Sequence, residues 1–103
     1  MNEVTIRLDA LDPALVSQSI DRAAAILRSG GLVAFPTETV YGLGASAVDA
    51  AAIARIFEAK GRPQDNPLIV HVDSLEMMER LGKLDDRGRA LVRDIMPGPL
   101  TIV

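Results

Sequence analysis

The sequence predicts an α/β fold, and three observations carry that prediction. Val4, Ile6 and Leu8 alternate with Thr5 and Arg7, the period-2 pattern of a half-buried strand. Two short apolar runs, Leu32 to Phe35 and Leu68 to Val72, read as buried strands. Between them lies a stretch with helical spacing, so strand, helix and strand predict a right-handed βαβ unit with parallel strands.

The remaining elements follow in chain order. Asp12-Pro13 supplies an N-cap followed by proline at the first helical position. Val16, Ile20, Ala23, Ala24 and Leu27 then form one apolar stripe at helical spacing. Gly30-Gly31 ends that helix, because glycine enters the left-handed region cheaply. Pro36 stops the run that ends at Phe35, and Gly42 and Gly44 mark a loop. Asp49 is the expected N-cap of a second helix carrying Ile53, Ile56 and Phe57, with Gly61 as its stop. Asp73 and Glu76 are spaced as a capping box for a short helix through Leu81. Met77-Met78 reads as core filler. A last helix over 86–95 carries Leu91, Val92 and Ile95, and Pro97-Gly98-Pro99 breaks it. Leu100 to Val103 then begins a strand on which the sequence stops. An apolar edge strand is something natural sheets avoid, so the pattern predicts a truncated sheet.

Composition narrows the classes of function. The chain has 103 residues, enough for one domain and no more. Apolar residues make up 49%, so a core is available, but aromatics are only 3%: Phe35, Tyr41 and Phe57. That is too few for the stacking platforms that hold single strands. With no cysteine, disulfide frameworks, thiolate zinc sites and cysteine nucleophiles are excluded. His71 is the only histidine, which rules out a multi-histidine metal site. No apolar run approaches the roughly 18 residues that cross a bilayer, and the start lacks the pattern of a secretion signal. The expectation is a cytoplasmic protein without membrane contact. A net charge of −3 weighs against a nonspecific nucleic-acid coat.

Two segments are placed to carry chemistry, since ligands of open α/β sheets bind beyond the carboxyl ends of strands. The first runs from Pro36 to Gly44 and sets Thr37, Glu38 and Thr39 between a proline and two glycines. It reads either as a holder for a small polar substrate or as a tight turn whose threonines satisfy local backbone groups. Glu38 is a general-base or ligand candidate, though loop carboxylates are usually solvated. No phosphate fingerprint is present, because GxGxxG needs glycine at position 47 and Ala47 stands there. The second segment is Lys60-Gly61-Arg62-Pro63-Gln64-Asp65-Asn66-Pro67. A mobile ammonium and a bidentate guanidinium in a proline-stiffened loop suit a polyphosphate. The bland alternative has Lys60 complementing the helix dipole and Arg62 solvated. His71 reads as a structural strand residue or as a side chain facing the same cleft.

Together these segments resemble the YrdC-like family and, within it, the threonylcarbamoyl-AMP synthases. The likeness rests on Gly30 to Gly44, on Lys60-Gly61-Arg62-Pro63 with Asn66-Pro67-Leu68-Ile69-Val70-His71, and on Pro97-Gly98-Pro99-Leu100-Thr101, in the family's order and at about its spacing. It covers nearly the whole chain, yet only the first half of the family's domain. Residues 1–103 would therefore be the amino-terminal portion of a single such domain. The resemblance implies a twisted open mixed sheet with flanking helices. It further implies formation of threonylcarbamoyl-AMP and pyrophosphate from L-threonine, bicarbonate and ATP, with Mg²⁺ assisting. The product would feed the tRNA threonylcarbamoyl transfer machinery. Lys60, Arg62 and Asn66 would bind the nucleotide, and Thr37 and His71 the threonine. No serine or cysteine nucleophile is required. Two departures stand out: no Ser-x-Asn motif follows within the sequence, and Met96 replaces the bulky aromatic common before Pro-Gly-Pro. The rivals are the carbamoyltransferase branch, whose cysteine-rich modules are absent, a double-stranded RNA-binding module, and an inactive fragment.

Overall fold

Asp9 begins the local organisation. Its Oδ1 accepts the N–H groups of Leu11 at 2.8 Å and Asp12 at 3.0 Å, and Ser19 Oγ donates to its carbonyl at 2.5 Å. Asp12 then closes a turn, accepting Ala14 N–H on Oδ1 at 2.9 Å and the Leu15 and Val16 N–H groups on its carbonyl. The helix itself starts later than Asp12-Pro13 predicts, at Val16.

The computed structural model describes residues 4–61 and 68–103. Their elements run α1 (Val16–Arg28), β1 (Val33–Phe35), β2 (Gly42–Gly44), α2 (Ala50–Lys60), α3 (Leu75–Leu81) and α4 (Asp86–Ile95). They fall into two units, Met1–Pro67 and Leu68–Val103. The fold is mixed α/β, as expected. None of its described helices is long and apolar enough to cross a membrane.

In the first unit β1 pairs with β2 antiparallel, with Val33 opposite Gly44, Ala34 opposite Leu43 and Phe35 opposite Gly42. This corrects two expectations. Gly42 to Gly44 is a strand rather than a loop, and β1 takes its described partner from the adjacent hairpin rather than from Leu68 to Val72. The local pairing closes a short loop, which costs little chain entropy. The glycines are explained by Phe35. A Cβ on Gly42 would stand 2.7 Å from the Phe35 ring, and one on Gly44 would stand 3.0 Å from it. The ring therefore lies on a bed of bare backbone.

Helix α2 supplies the buried core of this unit, with Ala52, Ile56 and Phe57 all buried. Asp49 caps it as predicted, Oδ1 accepting Ala52 N–H at 3.1 Å. Gly61 ends it in the left-handed conformation at φ 65°. Helix α1 buries Ser19 and half-buries Val16, Ala23, Ala24, Ile26 and Leu27. Ile20, assigned to the stripe on spacing, is 61% exposed instead. Gly30 ends this helix at φ 88°, as the paired glycines suggest.

The segment 4–8 is not a strand, and Val4 is 83% exposed. Residues 68–72 and 100–103 also lie outside any strand. Alternation and apolarity report fitness for a sheet, but a strand forms only where a neighbour takes its hydrogen bonds. No such neighbour faces these segments among the described residues. Leu100 N–H instead turns back to the Gly98 carbonyl at 2.9 Å.

The second unit is a pair of helices. Ser74, not Asp73, caps α3: its Oγ accepts Met77 N–H at 3.1 Å. Asp85 caps α4 through Gly88 N–H at 2.8 Å. Val92 is buried, while Leu91 and Ile95 stay exposed. Arg89 reaches from α4 to Glu79 of α3 at 2.5 Å and to Asp86 at 3.2 Å. The Glu79 carboxylate, by hydrogen bond and then by charge, pushes the guanidinium still further up.

Two expectations follow. Gly42→Val drives a side chain into the Phe35 ring and lowers stability by about 1–3 kcal/mol in urea unfolding; in a Phe35→Leu background the cost falls to less than about half of that, once the ring is gone. Asp9, held below its ordinary value of 3.8 by the Asp12 and then the Leu11 N–H groups, favours the folded state above that value and loses this contribution as pH falls through its lower folded value. An NMR titration should place the Asp9 midpoint below its ordinary value of 3.8; a midpoint at or above that value would refute the turn.

Candidate functional site

The loop 36–41 joins β1 to β2 and is exposed throughout. Thr37 organises it. Its Oγ1 donates to the Val40 carbonyl and accepts Thr39 N–H at 3.2 Å, with Thr39 Oγ1 at 3.4 Å. The local-turn reading of these threonines is thus fulfilled in detail. It also defines what Thr37 can offer. Its proton is committed to Val40, so toward a ligand the hydroxyl is an acceptor, suited to an ammonium or a hydroxyl donor. Glu38 and Tyr41 project from the same loop, Tyr41 76% exposed.

Lys60 is the last residue of α2 and is exposed. The N–H of Gly61 turns back to the Glu58 and Phe57 carbonyls, so the backbone is fully turned beneath it. The ammonium lies beside the negative end of the helix, where it complements the dipole and leaves its three donors to solvent or an anion. Arg62 and Asn66 lie outside the described residues.

His71 belongs to the second unit. It is exposed, with Nδ1 3.2 Å from the Ile69 carbonyl. A carbonyl only accepts, so in this contact Nδ1 is the donor, and Nε2 is the ring nitrogen left to face solvent. His71 is not the core histidine of a strand. Within the first unit no hydrogen bond joins Thr37 to Lys60 among the described residues. The second unit also holds an apolar groove of about 240 Å³ lined by Val72, Leu75, Met78, Val92, Met96 and Pro97 among others, and His71 does not line it. Among the described residues no three acidic or histidine side chains converge to hold a metal ion.

One residue escaped the sequence reading. Arg55 Nη1 donates to the Gly30 carbonyl at 2.8 Å, tying α2 to the turn between α1 and β1. The available signal was a cation on α2 at helical spacing from the buried Ala52.

An acceptor loop after a strand and a cationic helix end define an α/β protein with the parts of a ligand site. The model of the Sua5/YciO/YrdC family, described as telomere recombination, matches residues 25–103. The chain belongs to this family. It is 58% identical over 82 residues to threonylcarbamoyl-AMP synthase of Pyrococcus abyssi, covering 79% of this chain and 24% of that one. It is 47% identical over 102 residues to the Bacillus subtilis threonylcarbamoyl-AMP synthase, covering 98% and 28%. The crystal structure of P. abyssi Sua5 complexed with L-threonine superposes with a TM-score of 0.73 at 52% identity, over 82% of this chain and 25% of that chain. The chain therefore spans only about a quarter of the length of these relatives.

Replacing Thr37 by Val removes both loop hydrogen bonds while keeping the shape of the side chain. Hydrogen exchange at the Thr39 amide should quicken about fivefold, and Thr37→Ser should restore it.

Proposed function

We propose that residues 1–103 are the amino-terminal portion of a single domain of an L-threonylcarbamoyladenylate synthase. The complete protein joins L-threonine, bicarbonate and ATP into threonylcarbamoyl-AMP and pyrophosphate in the cytoplasm, for transfer to tRNA. The observation that carries this reading is the likeness, at 52% identity, to a structure complexed with L-threonine. Relatives 58% and 47% identical to this chain carry the name of that activity.

The chemistry asks for few protein groups. The threonine amine and bicarbonate form a carbamate with loss of water. A carbamate oxygen then attacks the α-phosphorus, and the bond to the bridging oxygen of pyrophosphate breaks. Positive charge placed on the phosphates stabilises the leaving group. Lys60, Arg62 and Asn66 are assigned to the nucleotide, and Thr37 and His71 to the threonine. Lys60 fits its role as a free ammonium on a fixed helix end. Thr37 fits as an acceptor for the donor groups of an amino acid. Mg²⁺ would accompany the nucleotide as MgATP, adding positive charge on the phosphates.

Two measurements on the complete protein test this. Product chromatography should show the AMP-linked species only when threonine and bicarbonate are both present; turnover indifferent to threonine would sink the assignment. By calorimetry Lys60→Ala should weaken ATP binding roughly tenfold, as expected for a lost charge-assisted contact, and threonine binding much less. Equal losses would refute the division of roles.

A further inference from the structure

We infer that Arg55 is a positioning residue, the clamp that fixes Lys60 and the loop 36–41 relative to one another. The inference rests on the reading of Lys60 and Thr37 given above and adds the residue that holds them in place. Strand β1 leaves the turn at Gly30, and helix α2, which follows β2, comes back to that turn. Arg55 Nη1 donates to the Gly30 carbonyl at 2.8 Å. Asp49, the N-cap of α2, packs its Oδ2 3.1 Å from where a Cβ of Gly30 would stand. The first turn of the helix thus lies beside the junction, and the Arg55 hydrogen bond in its middle is what ties it there.

The two candidate groups hang from the free ends of these elements. Lys60 lies five residues beyond Arg55 on the same helix, about 7.5 Å along its axis at the usual rise. Thr37 follows β1, which begins three residues after Gly30. Both arms are stiff. The helix is anchored by the buried Ala52, Ile56 and Phe57, and the strand is paired to β2 along its whole length. Releasing the hydrogen bond at the junction therefore loosens the angle between the two arms, while their core packing and the local geometry of each group stay intact. A small rotation at Gly30 becomes a displacement of ångströms at Lys60 and Thr37. Such an error matters when two bound substrates must meet in one geometry, and much less when each binds by itself.

This separates the role from a merely structural one. In the complete protein Arg55→Ala should lower kcat about tenfold while the KM values for ATP and threonine stay within about threefold. Arg55→Lys, which keeps a donor within reach of the carbonyl, should restore kcat to within about threefold. The clamp itself is read without activity, by the spin-label distance between Glu38→Cys and Glu58→Cys. That distribution should broaden about twofold in Arg55→Ala and narrow again in Arg55→Lys. If Arg55→Ala does not fold, Arg55→Gln, whose shorter amide falls short of Gly30, carries the same expectations. An unchanged distance distribution overturns the clamp whatever the kinetics. A broadened one with unchanged kcat overturns the positioning role, as does a loss confined to KM. If the parent protein shows no threonine-dependent turnover, the reading of Lys60 and Thr37 falls and the positioning role with it; the distances then decide the clamp alone.

Discussion

One hydrogen bond, from Arg55 to the carbonyl of Gly30, sets the frame of the first unit. Helix ends expose carbonyls that water must satisfy unless a side chain does so. The last carbonyls of α1 are taken by its own turn, Ser29 N–H on Ala25, Gly31 N–H on Ile26 and Gly30 N–H on Leu27, and the Gly30 carbonyl just beyond them is the one Arg55 of α2 takes. The donor is charged and the site is partly buried, which makes the bond stronger than a neutral surface contact. Three things then depend on this junction: the exit direction of β1, the seating of Ala52 and Ile56, and the place from which Lys60 projects.

Local grammar was legible in the sequence to the extent that it is local. Asp49 and Gly61 bound α2 where spacing and residue type put them, because a cap needs only its own turn. Asp73 failed for the same reason: two neighbouring residues compete to cap α3, and the backbone decides for Ser74. Strands were harder. Val4 to Leu8 and Leu68 to Val72 carry the composition of strands, yet pairing is a property of two segments and neither meets a partner in the described residues. Gly42 and Gly44 were misread in the opposite direction. Their lack of side chains suggested a loop, whereas it is the imprint of the Phe35 ring on the opposite strand.

The site shows the same division. Thr37 was recognisable as a polar residue after a strand, but the donor and acceptor roles of its hydroxyl needed the positions of Val40 and Thr39. His71 lies in the kind of run that usually buries a histidine, and its exposure could not be inferred from its neighbours. The Arg55 bond to Gly30 was invisible because a backbone carbonyl leaves no mark on residue type. Family likeness located the blocks that matter; it did not reveal what connects them.

Gly30 illustrates how two unrelated demands can fall on one residue. Its φ of 88° lies in the left-handed region, where asparagine and aspartate are the customary substitutes for glycine. The carboxylate of Asp49 stands 3.1 Å from the position any such side chain would occupy. The residues that tolerate the dihedral would therefore push the Asp49 carboxylate by a few tenths of an ångström, and an aspartate would add a second negative charge as well. Exchanging Asp49 for serine makes room and still caps α2, whereas alanine makes room and removes the cap. A change at Gly30 thus reaches the cap of the helix that carries Lys60.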